Sequence, residues 1–309
     1  MKRNVIYLKE KEVVMFDNFS IVINDYKKEE FKNFLDNYVK KSPTIRGGWF
    51  QVDWRNFRIK YFPNQEKIKV SNSLHKWYNS EVIGIGEINY NDFTLLHVKE
   101  AISYLEVSLG RNASEMKLLG LFEYGININT NSIKPYDIID RYTSIVTTSV
   151  NPFYAFYEKY NKPSSKFCSF SNYKIKAYDK SKEAGLTTSN IFRFEIVHHN
   201  SIKTRQIFGK KVVTLKDLGD VEIWDKCFNS LINSYNSIRM LGFPQSGVND
   251  YAKMLCYSHP IIRKDYKSDL RKIKKDLKDT HDSFRDSENS PHFLIKKGLV
   301  DNYQKLITN

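Results

Sequence analysis

The pattern of apolar and polar positions changes period several times along the chain. Residues 13 to 24 alternate around "VVMFDNFSIVIN", the two-residue period of a strand. In "KKEEFKNFLDNYVKK", Phe31, Phe34, Leu35 and Tyr38 recur at helical spacing. Three short strands are predicted around "GGWFQVDW", "FRIKYFP" and "KIKVSNSLHKWY". "NDFTLLHVKEAISYLEVSLG" reads as a helix, with Asp92 or Thr94 at its start and Gly110 as its stop. A strong strand in "MKLLGLFEYGININT" then begins the pattern again, and a helix is predicted over 135 to 148.

After the Pro turn in "NPFYAFYEKYNKPSSK" come two more strands, in "NYKIKAYDKSKEAG" and "NIFRFEIVHH". From 215 to 241, Leu218, Val221, Trp224, Phe228, Leu231, Ile232, Tyr235 and Ile238 trace an amphipathic helix. "GFPQSG" breaks the chain before a short helix and the charged "RKDYKSDLRKIKKDLKDTHDSFRD". Two helix-and-strand halves before residue 241 suggest a duplicated unit. The predicted fold class is α+β: an antiparallel central sheet flanked by helices, with a helical C-terminal extension. The divisions fall at residues 1–115, a DNA-binding lobe, 116–245, a catalytic lobe, and 246–309, the extension.

Composition narrows the partner. The chain has 309 residues, a net charge of +14 and a pI near 9.4, which favours a polyanion over an acidic small molecule. Residues 159 to 216 hold thirteen Lys or Arg against three acids, the footprint expected for a phosphate backbone. Phe167, Phe170, Tyr173, Tyr178 and Phe192 interleave with that charge and offer stacking surfaces. The C-terminal charged stretch is nearly balanced, as a solvated face would be. Three widely spaced cysteines, Cys168, Cys227 and Cys256, form neither a disulfide framework nor a zinc motif and suit a reducing cytoplasm. With no apolar run of signal or membrane length, neither export nor a membrane span is expected.

Chemistry gathers on the polar faces of three strands. Glu123, Asn127 and Asn129 share one face of their strand, and Arg193 and Glu195 share one of theirs. Lys174, Lys176, Tyr178 and Lys180 line a third, with Lys182 just beyond. A strand tyrosine is ordinarily only a good pleated-surface residue. If the strands adjoin, however, a carboxylate pair, an arginine and a tyrosine meet on one surface. Paired carboxylates suit Mg²⁺ or Mn²⁺, which bridge to phosphates, and a tyrosine beside them can attack phosphorus. The lysines are expected to favour its phenolate by charge attraction. His198 and His199, adjacent on a strand, point to opposite faces and cannot share one metal.

"KAYDKSKE" followed by "FRFEIVHHN" resembles the rolling-circle replication initiators of small plasmids and filamentous phages, of the gene II protein and plasmid initiation-factor type. "KVSNSLHKWYNSEVIGIGEINYNDFTLLHVKEAISYL" is similar to that family's N-terminal strand, loop and helix, and "LLGLFEYGINI" to its acid-bearing strand. The resemblance spans roughly residues 15 to 240 and implies a duplicated Rep/RRM-like unit. It implies Tyr178 as the nucleophile that takes a 5′-phosphotyrosine link, with Lys180 beside it. It also implies Glu123 and Glu195 as metal acids, and Lys174, Lys176, Lys182, Arg193, His75 and Lys76 as DNA contacts. The partners implied are origin DNA, single-stranded or supercoiled, and a host helicase, with the protein a monomer or dimer. The other reading open to these residues is a non-catalytic DNA- or RNA-binding protein on the same scaffold.

Overall fold

In the computed structural model, the described residues are 15–146, 150–156, 164–241, 274–288 and 290–308, with isolated positions between 242 and 273. The expected break at "GFPQSG" lies outside them. In chain order the elements of the first half are β1 (Phe16–Ile23), α1 (Lys28–Phe34), β2 (Thr44–Arg46), β3 (Trp49–Trp54), β4 (Phe57–Phe62), β5 (Lys67–Ser73), α2 (Leu74–Tyr78) and α3 (Leu95–Leu109). The second half runs β6 (Lys117–Asn129), α4 (Pro135–Ile139), β7 (Tyr142–Val146), β8 (Val150–Pro152), β9 (Tyr154–Phe156), β10 (Ser165–Ser169) and β11 (Tyr173–Asp179). It continues with α5 (Lys180–Glu183), β12 (Ile191–His198), α6 (Ser201–Phe208), α7 (Val221–Asn236) and β13 (Ile238–Met240). Helices Lys274–Arg285 and Pro291–Thr308 follow.

Ten strands form one antiparallel sheet in the order β2-β3-β4-β5-β1-β6-β12-β11-β10-β9. That order is a palindrome about the β1–β6 pair, so each strand of one half has a counterpart in the other. The duplicated unit expected from the sequence is therefore visible in the topology. Alternation sorts the side chains into two layers. Phe19, Ile21, Phe122, Tyr124, Ile126, Phe194, Ile196, Ile175 and Ala177 are buried in the core, which they share with Val98 and Leu105 of α3 and Trp224 and Leu231 of α7. Ile295, Leu299, Tyr303 and Leu306 bring the last helix into that same core. The opposite face carries the polar residues. Among the described residues no helix is long and apolar enough to cross a membrane.

Local chemistry explains where elements start and stop. Thr94 accepts from the His97 amide at 3.4 Å to cap α3, and Gly110 ends it in the left-handed region at φ 61°. Two expectations fail. The helix predicted over 135 to 148 stops at Ile139, and Tyr142–Val146 is a strand paired with β13. Thr143, Ile145 and Val146 are β-branched, which favours the pleated alternative. "SLHKWY" is the start of a helix rather than the end of a strand, because the Ser73 hydroxyl accepts from the Lys76 amide at 3.1 Å.

Candidate functional site

The polar faces of β6, β12 and β11 adjoin, as the register requires: Arg193 lies opposite Asn127 and Tyr178, and Glu195 opposite Gly125 and Lys176. Glu123, Tyr178 and Glu195 thus share the face away from the helix layer. Gly125 is part of the design. A Cβ there would lie 2.4 Å from that of Glu195, so only glycine leaves the space that Glu195 fills.

These side chains form one buried network. Glu195 accepts from Arg193 Nε at 2.7 Å, from Lys176 Nζ at 2.5 Å and from the Tyr178 hydroxyl at 3.2 Å. Lys176 also lies 3.5 Å from Glu123, and Arg193 Nη1 donates to Asn127 at 3.0 Å. From the first half of the sheet comes Asp17, a residue the sequence analysis did not single out. Its carboxylate accepts from Ser73 and, at 2.8 Å, from Asn89, and sits 3.8 Å from Arg193 Nη2. A register irregularity in β1 between Phe16 and Phe19 places Asp17 at a bulge, a common way to re-aim a side chain. Asn89 in turn accepts from Lys180 at 2.8 Å, so the network crosses both halves of the fold.

A cleft of about 600 Å³ opens on this network, lined by Asp17, Ser73, Lys76, Asn89, Glu123, Lys174, Lys176, Tyr178 and Lys182 among others. Four of the expected DNA contacts therefore border one cavity. The other two do not. His75 is wholly buried and stacked on Phe93 at 4.5 Å, its pKa driven well down by burial and then by Arg193. It cannot touch DNA, because the cap at Ser73 turns it inward. Arg193 is also fully buried and serves the carboxylates rather than an outer phosphate. Lys180 is 1% exposed, paired with Glu183 and 5.9 Å from the Tyr178 ring centre, and burial, then Arg193, lowers its pKa.

The electrostatics correct a further expectation. Tyr178 is not poised as a phenolate: burial raises its pKa well above the usual value, and the Glu195 charge adds to that, against Arg193. Burial also pushes Glu195 upward, but Arg193 and Lys176 outweigh it and hold the carboxyl at about 2. Burial raises Glu123 to about 8, helped by the negative charges of Glu195 and Asp17. Two buried donors at the centre, Arg193 Nη2 and Asn127 Nδ2, have no hydrogen-bond acceptor among the described residues.

A divalent cation fits part of this donor set. Glu195 is spent, since both its oxygens already face cations. Glu123 and Asp17 line the cleft and offer only oxygen. Among the described residues no three acidic, histidine or cysteine side chains are grouped for a metal.

No protein-family model and no curated protein matches this chain. Among solved structures it is similar to a rolling circle replication initiator protein from Geobacillus stearothermophilus, with 11% identity and a TM-score of 0.46, over 77% of this chain and 90% of that one. At that score and identity the likeness establishes neither fold nor activity, and both rest on the residues themselves.

Glu123 gives a testable pH dependence. Its folded pKa lies above the ordinary 4.5, so its contribution to stability is fully present below that value and declines as pH rises toward about 8. Glu123→Gln, which keeps the neutral shape, is expected to remove that decline. Thermal melting of both proteins from about pH 5 to about pH 8.5 checks it, each unit of separation being worth about 1.4 kcal/mol. Parallel curves would mean that Glu123 titrates normally.

Proposed function

We propose that this chain is a DNA-nicking and strand-joining initiator of rolling-circle replication. The observation that carries the reading is a single tyrosine, Tyr178, whose hydroxyl is held by a carboxylate at a lysine-bordered cleft. The sequence resemblance around "KAYDKSKE" and "FRFEIVHHN" supports the same assignment. In this reading the Tyr178 oxygen attacks a backbone phosphorus. The bond from phosphorus to the tyrosine oxygen forms as the bond to the 3′ oxygen breaks. The phenol proton passes to solvent in the cleft that Tyr178 lines, and the departing 3′ oxygen is protonated from solvent. The phosphodiester energy is kept in the phosphotyrosine, so the strand can be rejoined and the free 3′-OH can prime synthesis.

Each neighbour has a role that its placement suits. Lys174, Lys182 and Lys76 border the cleft and hold the phosphate backbone. Glu195 fixes the direction of the Tyr178 hydroxyl, while Arg193 and Lys176 keep Glu195 ionised. Mg²⁺ or Mn²⁺, held by Glu123 and Asp17, would supply polarisation of a phosphoryl oxygen. The DNA would be origin DNA, single-stranded or supercoiled, and a nicked duplex then requires a host helicase to open it.

The test is to incubate the protein with supercoiled DNA of its own replicon and Mn²⁺, then look for a covalent protein–DNA adduct on a denaturing gel. An adduct whose linked residue is Tyr178 supports the reading. Full binding with no adduct under any divalent cation would leave a non-catalytic DNA-binding protein on this scaffold.

A further inference from the structure

The palindromic strand order pairs each strand of the second half with one of the first, and one pair keeps a resemblance in sequence. "FRIKYF" in β4 matches "YKIKAY" in β11 position for position, so that Phe62 stands where Tyr178 stands and Lys60 where Lys176 stands. The strand registers extend the correspondence. Lys176 lies opposite Glu195, and Lys60 lies opposite Lys69; Tyr178 lies opposite Arg193, and Phe62 opposite Lys67. The first half thus keeps the frame of the site but lacks its hydroxyl, and a lysine replaces its carboxylate.

That replacement has a physical consequence. Like charges directly opposite on neighbouring strands are destabilising. Lys60 and Lys69 face each other with no carboxylate opposite either one. Next to them Lys60 lies 4.4 Å over the Trp49 ring, and Trp49 and Phe62 have ring centres 6.0 Å apart. All four side chains are partly exposed. Of the alternate positions on β3 to β5, only Asp53 is acidic, and it faces Arg58 at 3.8 Å. The same face leads through Ser71 to Asn56, Asn72 and Ser73 at the rim of the cleft.

We propose that this face of the first half is a binding track for single-stranded DNA, with Trp49 and Phe62 as a base-stacking platform and Lys60, Lys67 and Lys69 as phosphate contacts. Unpaired bases are called for because the aromatic surfaces lie on the sheet face, where only splayed bases can stack. Opposed lysines supply the charge complementarity, since a phosphate between them removes their repulsion. The proposal would stand even if Tyr178 were not a nucleophile; it shares with the proposed function only the identity of the polymer.

Tryptophan fluorescence reads this surface directly. Of the four tryptophans, Trp54, Trp77 and Trp224 are no more than 2% exposed, which leaves Trp49 as the one open to a stacked base. Titration with an oligo(dT) of about fifteen nucleotides is expected to quench the fluorescence, and Trp49→Phe to abolish the quenching. Lys60→Gln with Lys69→Gln should weaken binding about tenfold and flatten the log K against log salt slope by about 1.4, from about 0.7 per phosphate contact. The same pair should leave the melting temperature unchanged or raised, because a repulsion is relieved. Quenching that is absent, or an affinity the double variant does not alter, overturns the proposal. Equal quenching by duplex of the same length overturns the single-strand assignment, and tighter binding of oligo(rU) overturns the choice of DNA. Loss of the adduct with quenching retained would instead sink only the nicking reading.

Discussion

Tyr178→Phe is expected to abolish the covalent DNA adduct and nicking together, while DNA affinity stays within a few-fold of wild type. The change deletes one oxygen. Its bond to Glu195 is 3.2 Å long, and Glu195 keeps Arg193 and Lys176, so the loss of stability should be no more than about 1 kcal/mol. Lys174, Lys182 and Lys76 remain at the cleft, and backbone affinity remains with them. Because burial holds the phenol well above its usual pKa, nicking by wild type should rise with pH across the neutral and mildly alkaline range. A gel of the radiolabelled 5′ fragment checks both points. An adduct that survives in the Phe variant would move the nucleophile elsewhere, with Tyr173, half-buried and stacked on Phe170, the next residue to replace.

Arg193→Met is expected to be the most destabilising single change in the site. Arg193 is fully buried, donates to Glu195 and Asn127, and sits beside Asp17. Its removal leaves Glu195 and Asp17 buried with much less compensation, and breaking a buried ion pair in this way costs roughly 3–5 kcal/mol. The sign with pH follows from Glu195. In wild type its carboxyl is held at about 2, so the stability it contributes is present above 4.5 and lost as pH falls toward 2. Without Arg193 that depression shrinks and the carboxyl accepts a proton more easily. The deficit of the variant should therefore be greatest near neutral pH and narrow in acid. Urea unfolding at about pH 4 and about pH 7.5 measures it, and Glu195→Gln in the same background should restore part of the loss. An equal deficit at both pH values would mean that Arg193 acts only by filling space.

What could be read from the residues was what is local. Period-two alternation is set by one strand at a time, so the polar face of each of the three strands was legible, while their meeting on one surface waited for the strand neighbours. Asp17 was not, because its importance depends on Asn89, 72 residues away, and on Arg193 in another half of the sheet. Its signal was an acid next to Phe16 in a strand otherwise largely apolar and buried, in "MFDNF". Depth was equally invisible. The lysines around Tyr178 suggested a lowered pKa, yet charge counted along a chain carries no information about burial, and burial dominates. His75 failed for a different reason: Ser73 caps a helix there, and the turn it starts rotates the imidazole into the core. The repeat between "FRIKYF" and "YKIKAY" was present in the letters, but six residues are too few to notice until the strand order pairs them.

The position of β1 has a bearing on how the protein is made. That strand lies between β5 and β6, and during synthesis its second neighbour does not exist until residues 117–129 have left the ribosome. Until then the first half presents β1 as an open edge, with Asp17 held by Ser73 and Asn89 but still without Arg193. The partner that answers this charge, Arg193, arrives with β12 and is among the later parts of the sheet to be translated. A chain truncated before β12 would lack Arg193 and Glu195, and with them the charges that hold the Tyr178 hydroxyl. The buried charge network is in this sense a property of both halves together, and it closes only once β12 has been made.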